Sequence, residues 1–173
     1  MGGGEEGAAF SLTGSDAVKC EEQRNSAGTR GGWASDNSDK EMDISEGDSV
    51  AAGSCPQEEV ITRSWTGTDD CGNASSCDQI VSVIDDEAPA ITCPASVTVN
   101  CEDDSTSSAT GSATATDNCD TDVTATESDS VAEGTCPQES VITRTWTAAD
   151  DCGNSSTCDQ TIMIIDNTAP VIV

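Results

Sequence analysis

Carboxylates and cysteines are the side chains whose number and spacing could do chemistry in this 173-residue chain. Asp and Glu number 33, against six Lys and Arg and no His. The acids cluster at Asp69-Asp70, Asp150-Asp151 and Asp85-Asp86-Glu87, and at Asp117 and Asp120 around Asn118. Calcium takes about six to eight oxygen ligands, so these carboxylates would form a Ca²⁺ site where several loops converge, stiffening a domain junction if strand-end and junction acids meet there. The plainer reading is that Asp, Asn and Gly make turns and keep the chain solvated, and no EF-hand loop is present. Ten cysteines, at positions 20, 55, 71, 77, 93, 101, 119, 136, 152 and 158, imply disulfide staples in an oxidising compartment. Zinc is disfavoured, because C–x5–C is not a zinc-ribbon spacing and no His is available.

Catalysis has a poor inventory. No His can act as a base, the cysteines are expected to be bonded, and the many Ser and Thr have no visible activator. A carboxylate pair that cleaved glycosides would need a cleft deeper than a small sandwich offers. No catalytic residue is therefore expected. Asn73-Ala74-Ser75 and Asn154-Ser155-Ser156 are N-glycosylation sequons, although the Gly-Asn pairs before them equally suit a tight turn.

The formal charge of −27 repels nucleic acid phosphates and anionic membrane surfaces. No apolar run approaches the roughly 20 residues of a membrane helix, so no membrane insertion is expected. The opening MGGGEEGAAFSLTG lacks the pattern of a signal peptide, so the expected extracellular or cell-surface location rests on the cysteines and places the export signal outside this piece.

The elements that must position these residues occur twice. CPQEEVITRSWTGTDDCGNASSCDQ, from Cys55, returns from Cys136 as CPQESVITRTWTAADDCGNSSTCDQ, an offset of 81 residues. Trp65 maps to Trp146, Pro89 to Pro170, Cys20 to Cys101, and Asp48 to Asp129. The organisation expected is a first repeat over 1–86, a second over 87–167 and the start of a third over 168–173. IDDEAP and IDNTAP join them, and their prolines suit a stiff junction.

Within each repeat, short Thr/Val/Ile runs alternate with Asp, Asn, Gly and Ser clusters, which predicts an all-β fold of about seven strands, a small immunoglobulin-like sandwich. Val141 to Ala148 is the clearest strand, with Ile142, Trp146 and Ala148 on one face. Arg144 falls on that face too, as Arg63 does with Trp65; it either snorkels along the Trp ring at the sheet margin or is turned out by a bulge. Cys158 to Ile165 predicts the next strand of a hairpin.

Thr92-Cys93-Pro94, Asp117-Asn118-Cys119-Asp120, WTAADDCGNSSTC from Trp146 to Cys158, and WASDNSD from Trp33 to Asp39 resemble the hyalin (HYR) repeat and HYR-like modules. The resemblance implies an immunoglobulin-like fold, tandem arrays and adhesive roles rather than catalysis. Partners would be other repeats of the same polypeptide and an extracellular protein or glycan. The first repeat departs from the pattern, with Leu12 in place of Cys93 and Ser38 in place of Cys119. Because those two positions are lost together, Cys93–Cys119 is the expected bond. The remaining cysteines leave open Cys71–Cys77 and Cys152–Cys158 with Cys20–Cys55 and Cys101–Cys136, or the first-to-last-strand pairs Cys20–Cys77 and Cys101–Cys158 that the resemblance favours.

Function reads first as a structural or adhesive spacer, and second as a calcium- or glycan-binding adhesion module. The near-identity of the two hairpin loops favours the spacer.

Overall fold

The computed structural model describes residues 9–11, 16–19, 33–35 and 43–172. The chain divides into two compact units, Met1–Asp86 and Glu87–Val173.

The second unit holds β7 (Ala90–Thr92), β8 (Val97–Asn100), a single helical turn α1 (Ser107–Thr110), β9 (Thr114–Thr116), β10 (Thr124–Glu133), β11 (Ser140–Ala149) and β12 (Ser155–Ile165). In the first unit β1 (Ala9–Ser11), β2 (Asp16–Lys19), β3 (Trp33–Ser35), β4 (Asp43–Ala52), β5 (Glu59–Thr68) and β6 (Ala74–Ile84) start 81 residues earlier, strand for strand. Each unit is a sandwich of a four-stranded sheet, β4-β5-β6-β2 or β10-β11-β12-β8, and a two-stranded one, β1-β3 or β7-β9. Among the described residues, six strands stand in each unit where about seven are expected. Neighbours in the four-stranded sheets run antiparallel, except that β8 lies parallel to β12 and β2 to β6. β12 begins at Ser155, three residues before the expected Cys158.

The core is small and belongs to alternate residues of the two central strands. Ile142, Trp146, Ala148 and Ile162 are buried in the second unit, and Ile61, Trp65, Val81 and Val83 in the first. Arg144 stays on that face. Ten continuous pairs join β10 to β11, so no bulge turns it out. Arg144 is 3% exposed, and its guanidinium forms a two-pronged bond to Asp129 on β10, Nε to Oδ1 and Nη2 to Oδ2, both at 2.8 Å. It also donates to Thr110 Oγ1 at 3.0 Å and to the Ser105 carbonyl at 3.1 Å. On β12 its cross-strand partner Gln160 is fully buried and donates to the carbonyls of Ala95 and Thr110. A polar rung, Asp129–Arg144–Gln160, thus crosses the sheet between apolar rungs and supplies donors to the irregular segment around α1 that covers it. Asp48–Arg63–Gln79 forms the same rung in the first unit, again with two 2.8 Å bonds from Arg63 to Asp48.

The expected disulfides require correction. Cys93 is bonded to Cys158, tying the end of β7 in one layer to β12 in the other. That excludes Cys93–Cys119, Cys152–Cys158 and Cys101–Cys158. Cys55, Cys119 and Cys152 are disulfide-bonded as well. Cys71, Cys77, Cys101 and Cys136 are free thiols, so Cys71–Cys77, Cys101–Cys136 and Cys20–Cys77 are not made. Cys20 itself lies outside the described residues. Joint loss of two cysteines misleads here because their partners need not be lost too: Cys77 is the repeat equivalent of Cys158 and persists without a bond.

Two expected outcomes follow. The Arg144 hydrogen bonds hold the Asp129 carboxyl below its usual range, so its contribution is present above the unfolded carboxylate pKa and lost as pH falls through the lowered value. Asp129→Asn should cost about 2 kcal/mol at pH 7 in denaturant titrations; the figure sits below the 3–5 typical of breaking a buried pair because Asp129 is 35% exposed. The gap to the unsubstituted protein should narrow as pH falls through the lowered Asp129 value. Replacing Cys93 and Cys158 together by Ser opens a loop with a separation of 65 residues and should cost about 4 kcal/mol, read as lost hydrogen-exchange protection in β11 and β12.

Candidate functional site

The acidic loops of the second unit gather at the end of the sandwich where β9 stops and β11 turns into β12. That turn, Asp150 to Asn154, closes when Asp150 Oδ1 accepts the Asn154 amide at 2.8 Å and Oδ2 accepts Asn154 Nδ2 at 2.9 Å. Gly153 takes φ 93°, a left-handed conformation that glycine adopts without strain. The first unit repeats the device: Asp69 Oδ1 accepts the Cys71 and Asn73 amides, and Oδ2 accepts Asn73 Nδ2 at 2.7 Å. The hydrogen bond from the Asn73 side chain, with backbone amides adding to it, holds the Asp69 carboxyl below its usual range. Both sequon asparagines therefore use their amide nitrogen to clamp a turn.

Asp117 Oδ1 accepts the amides of Cys119 and Asp120 at 2.8 and 3.0 Å. Asp120 is buried; it accepts the Asp122 amide at 2.9 Å and, through Oδ2, the Asp151 amide at 3.2 Å, which fastens this loop to the hairpin turn. The structure thus brings Asp117, Asp120, Asp150 and Asp151 to one end of the second unit, with Asp151 exposed. Asp117 Oδ2 is buried and accepts no hydrogen bond. Beside it, Glu87, Ala88, Ala90, Thr116 and Asn118 help line a shallow recess of about 290 Å³.

Asp69 and Asp70 occupy the corresponding end of the first unit, whereas Asp85 and Asp86 follow the far end of β6, so within that unit they form no common site. Asp85 is buried, while Asp86 and Glu87 are exposed. At the end of the second unit away from the acidic loops, the β10–β11 turn is held by Thr135 Oγ1 donating to Glu139 Oε2 at 2.7 Å and by the Gly134 amide donating to the Glu139 carbonyl. Ser54, Gly53 and Glu58 repeat these bonds in the first unit.

Sequence reasoning passed over Asp48, Asp129, Gln79 and Gln160. The available signal was their position one strand away from Arg63 and Arg144 on the inward face, which becomes visible once the hairpin register is known.

Residues 89–164 match the family model of the HYR-like domain with four cysteines. No curated protein matches the chain. Solved structures that it resembles include Drosophila N-cadherin EC1-4, at 15% identity and TM-score 0.34 over 93% of this chain and 51% of that one. Another is protocadherin gammaB7 EC3-6 in a cis-dimer structure, at 13% identity and TM-score 0.38 over 94% and 51%. The chain spans about half the length of each, and likeness at this level adds nothing to the functional argument. Four of the six cysteines in the matched segment, Cys93, Cys119, Cys152 and Cys158, are disulfide-bonded. The second repeat of this chain is an HYR-like domain.

Proposed function

We propose that the chain is a non-catalytic spacer of a larger extracellular adhesive protein, in which its repeats extend and display neighbouring modules. One observation carries this reading: the two units repeat each other strand for strand, including the polar rung and both kinds of turn clamp. A scaffold built twice with the same rung and the same turn clamps serves repetition better than recognition of one ligand. The spacer's mechanical logic lies in the Cys93–Cys158 bond, which passes tension from the end of β7 directly to β12 and withholds the chain between them, β8 to β11 included, from extension. An oxidising, extracellular setting suits these disulfides.

Single-molecule pulling tests the reading. The second unit should resist with a discrete force peak, and reduction should lengthen its extension by about 230 Å, the reach of 65 further residues at about 3.6 Å each. Extension without a force peak would sink the spacer.

A second reading, calcium stiffening, is favoured by Asp117 Oδ2, a buried carboxylate oxygen with no donor. Asp117 would hold the ion as a hard oxygen ligand, with Glu87 of the same recess and water completing it. Under this reading, CaCl₂ at about a hundredfold excess over the dissociation constant should stabilise the second unit by about 2.7 kcal/mol relative to EDTA, and Asp117→Asn should remove the difference. Superimposed melting curves would discard it.

A further inference from the structure

We propose that the free edge of β10 docks an extended, basic segment of another protein as an added antiparallel strand. This goes beyond the spacer reading and does not depend on it.

β10 ends its sheet: among the described residues it has β11 on one side and no strand on the other. Which of its backbone groups lie open follows from the turn. The Gly134 amide donates to the Glu139 carbonyl at 2.9 Å, which makes that facing pair a bonded one, and the pairing runs without a break from there to Thr124. Bonded and unbonded pairs alternate along an antiparallel ladder. Ala132, Ser130, Ser128 and Thr126 therefore spend their amides and carbonyls on β11, while those of Glu133, Val131, Asp129, Glu127 and Ala125 face outward from the sheet. Open edges are commonly blunted by a short strand, a bulge, Pro or Lys. β10 has ten residues in continuous register, contains neither Pro nor Lys, and is exposed at every position except Ala125.

The side chains along that edge define what fits it. Glu127, Asp129, Val131 and Glu133 stand on the inward face, opposite Trp146, Arg144, Ile142 and Ser140. Val131 is 64% exposed although its partner Ile142 is buried, so an apolar side chain at the margin of the core is left uncovered. Val50, 60% exposed beside the buried Ile61, repeats this in the first unit. Asp129 is spent on Arg144. Glu127 accepts the Ser107 hydroxyl at 3.0 Å and lies 3.7 Å from Arg144 Nε, yet its side chain is 37% exposed, and Glu133 is exposed as well. An antiparallel strand would meet Glu133, Val131, Asp129 and Glu127 at alternate residues, and its complement is a cation, an apolar side chain, a small polar one and a second cation. A second copy fits badly, because each chain carries −27 and two such edges would set acid against acid. The same charge draws a basic segment in. Strand addition takes its affinity from main-chain hydrogen bonds and its selectivity from alternate side chains.

The test titrates the full chain with the peptide acetyl-Lys-Thr-Val-Thr-Ser-Thr-Lys-amide, read by calorimetry and by residue-resolved amide exchange. The amides of Glu127, Asp129, Val131 and Glu133 should gain protection on binding, whereas those of Thr126, Ser128 and Ser130, already bonded to β11, should change little. β4 offers a similar edge with Ala52 where β10 has Glu133, so the probe should favour β10. Glu127→Gln combined with Glu133→Gln should weaken binding about fivefold. Val131→Pro removes one outward N–H without touching the β11 ladder, and should abolish binding while the melting midpoint holds. Methylating the valine and serine amide nitrogens of the peptide keeps its charge but removes two donors aimed at β10; it should abolish binding too, and makes the comparison without altering the protein. A probe that does not bind, binding that survives methylation of those amides, or protection that appears away from β10 would each overturn the proposal.

Discussion

The buried guanidinium in each unit is the interaction on which the rest of the fold depends. With one Phe, three Trp and no Tyr in the whole chain, neither sheet can bury enough aromatic surface to close over itself. The opposing layer of the second unit has only two short strands, and an irregular run around α1 covers the remainder. Such a run brings carbonyl groups into a space without water, and each needs a donor. Arg144 and Gln160 provide four, to Ser105, Ala95 and Thr110, the last through both its hydroxyl and its carbonyl. Asp129 offsets the cost of burying the guanidinium charge by accepting two of its N–H groups. The rung also selects a register. A one-residue slip of β11 would turn Arg144, Trp146 and Ile142 to solvent together, and no neighbouring rung supplies an aspartate opposite an arginine.

This explains which features could be read from the chain itself. Thr/Val/Ile alternation and the 81-residue offset are local or self-referential, so the sheet strands, the two-unit plan and the inward face of Trp146 follow from them directly. Arg144 resisted because its partner lies 15 residues away across a hairpin, and only the length of the Gly134–Glu139 turn sets which β10 residue faces it. With the register in place, an arginine beside a tryptophan on a core strand is no anomaly.

Disulfide connectivity was less legible still. Substitution of Cys93 by Leu12 in the other repeat shows that one end of a bond is gone, but not whether the far end persists as a thiol, as Cys77 does. Acidic clusters had the same ambiguity. Asp117, Asp120, Asp150 and Asp151 do come to one end of the unit, yet Asp150 is spent within its own turn and Asp120 on amides of its own loop and of that turn, a role that composition cannot distinguish from ion binding.

The charge of −27 then takes on a different meaning. A fold short of apolar bulk must hold its turns and crossings by other means, and acceptor side chains serve because each can take two or more hydrogen bonds. Asp69, Asp117 and Asp120 accept backbone amides, Asp150 accepts the Asn154 amide and side chain, Glu58 and Glu139 accept a hydroxyl four residues back, and Asp48 and Asp129 take the arginines. Much of the acidity is thus part of how each unit folds, not a coat applied for solubility. Every one of these bonds is made inside its own unit, so each 81-residue copy carries these acceptors with it.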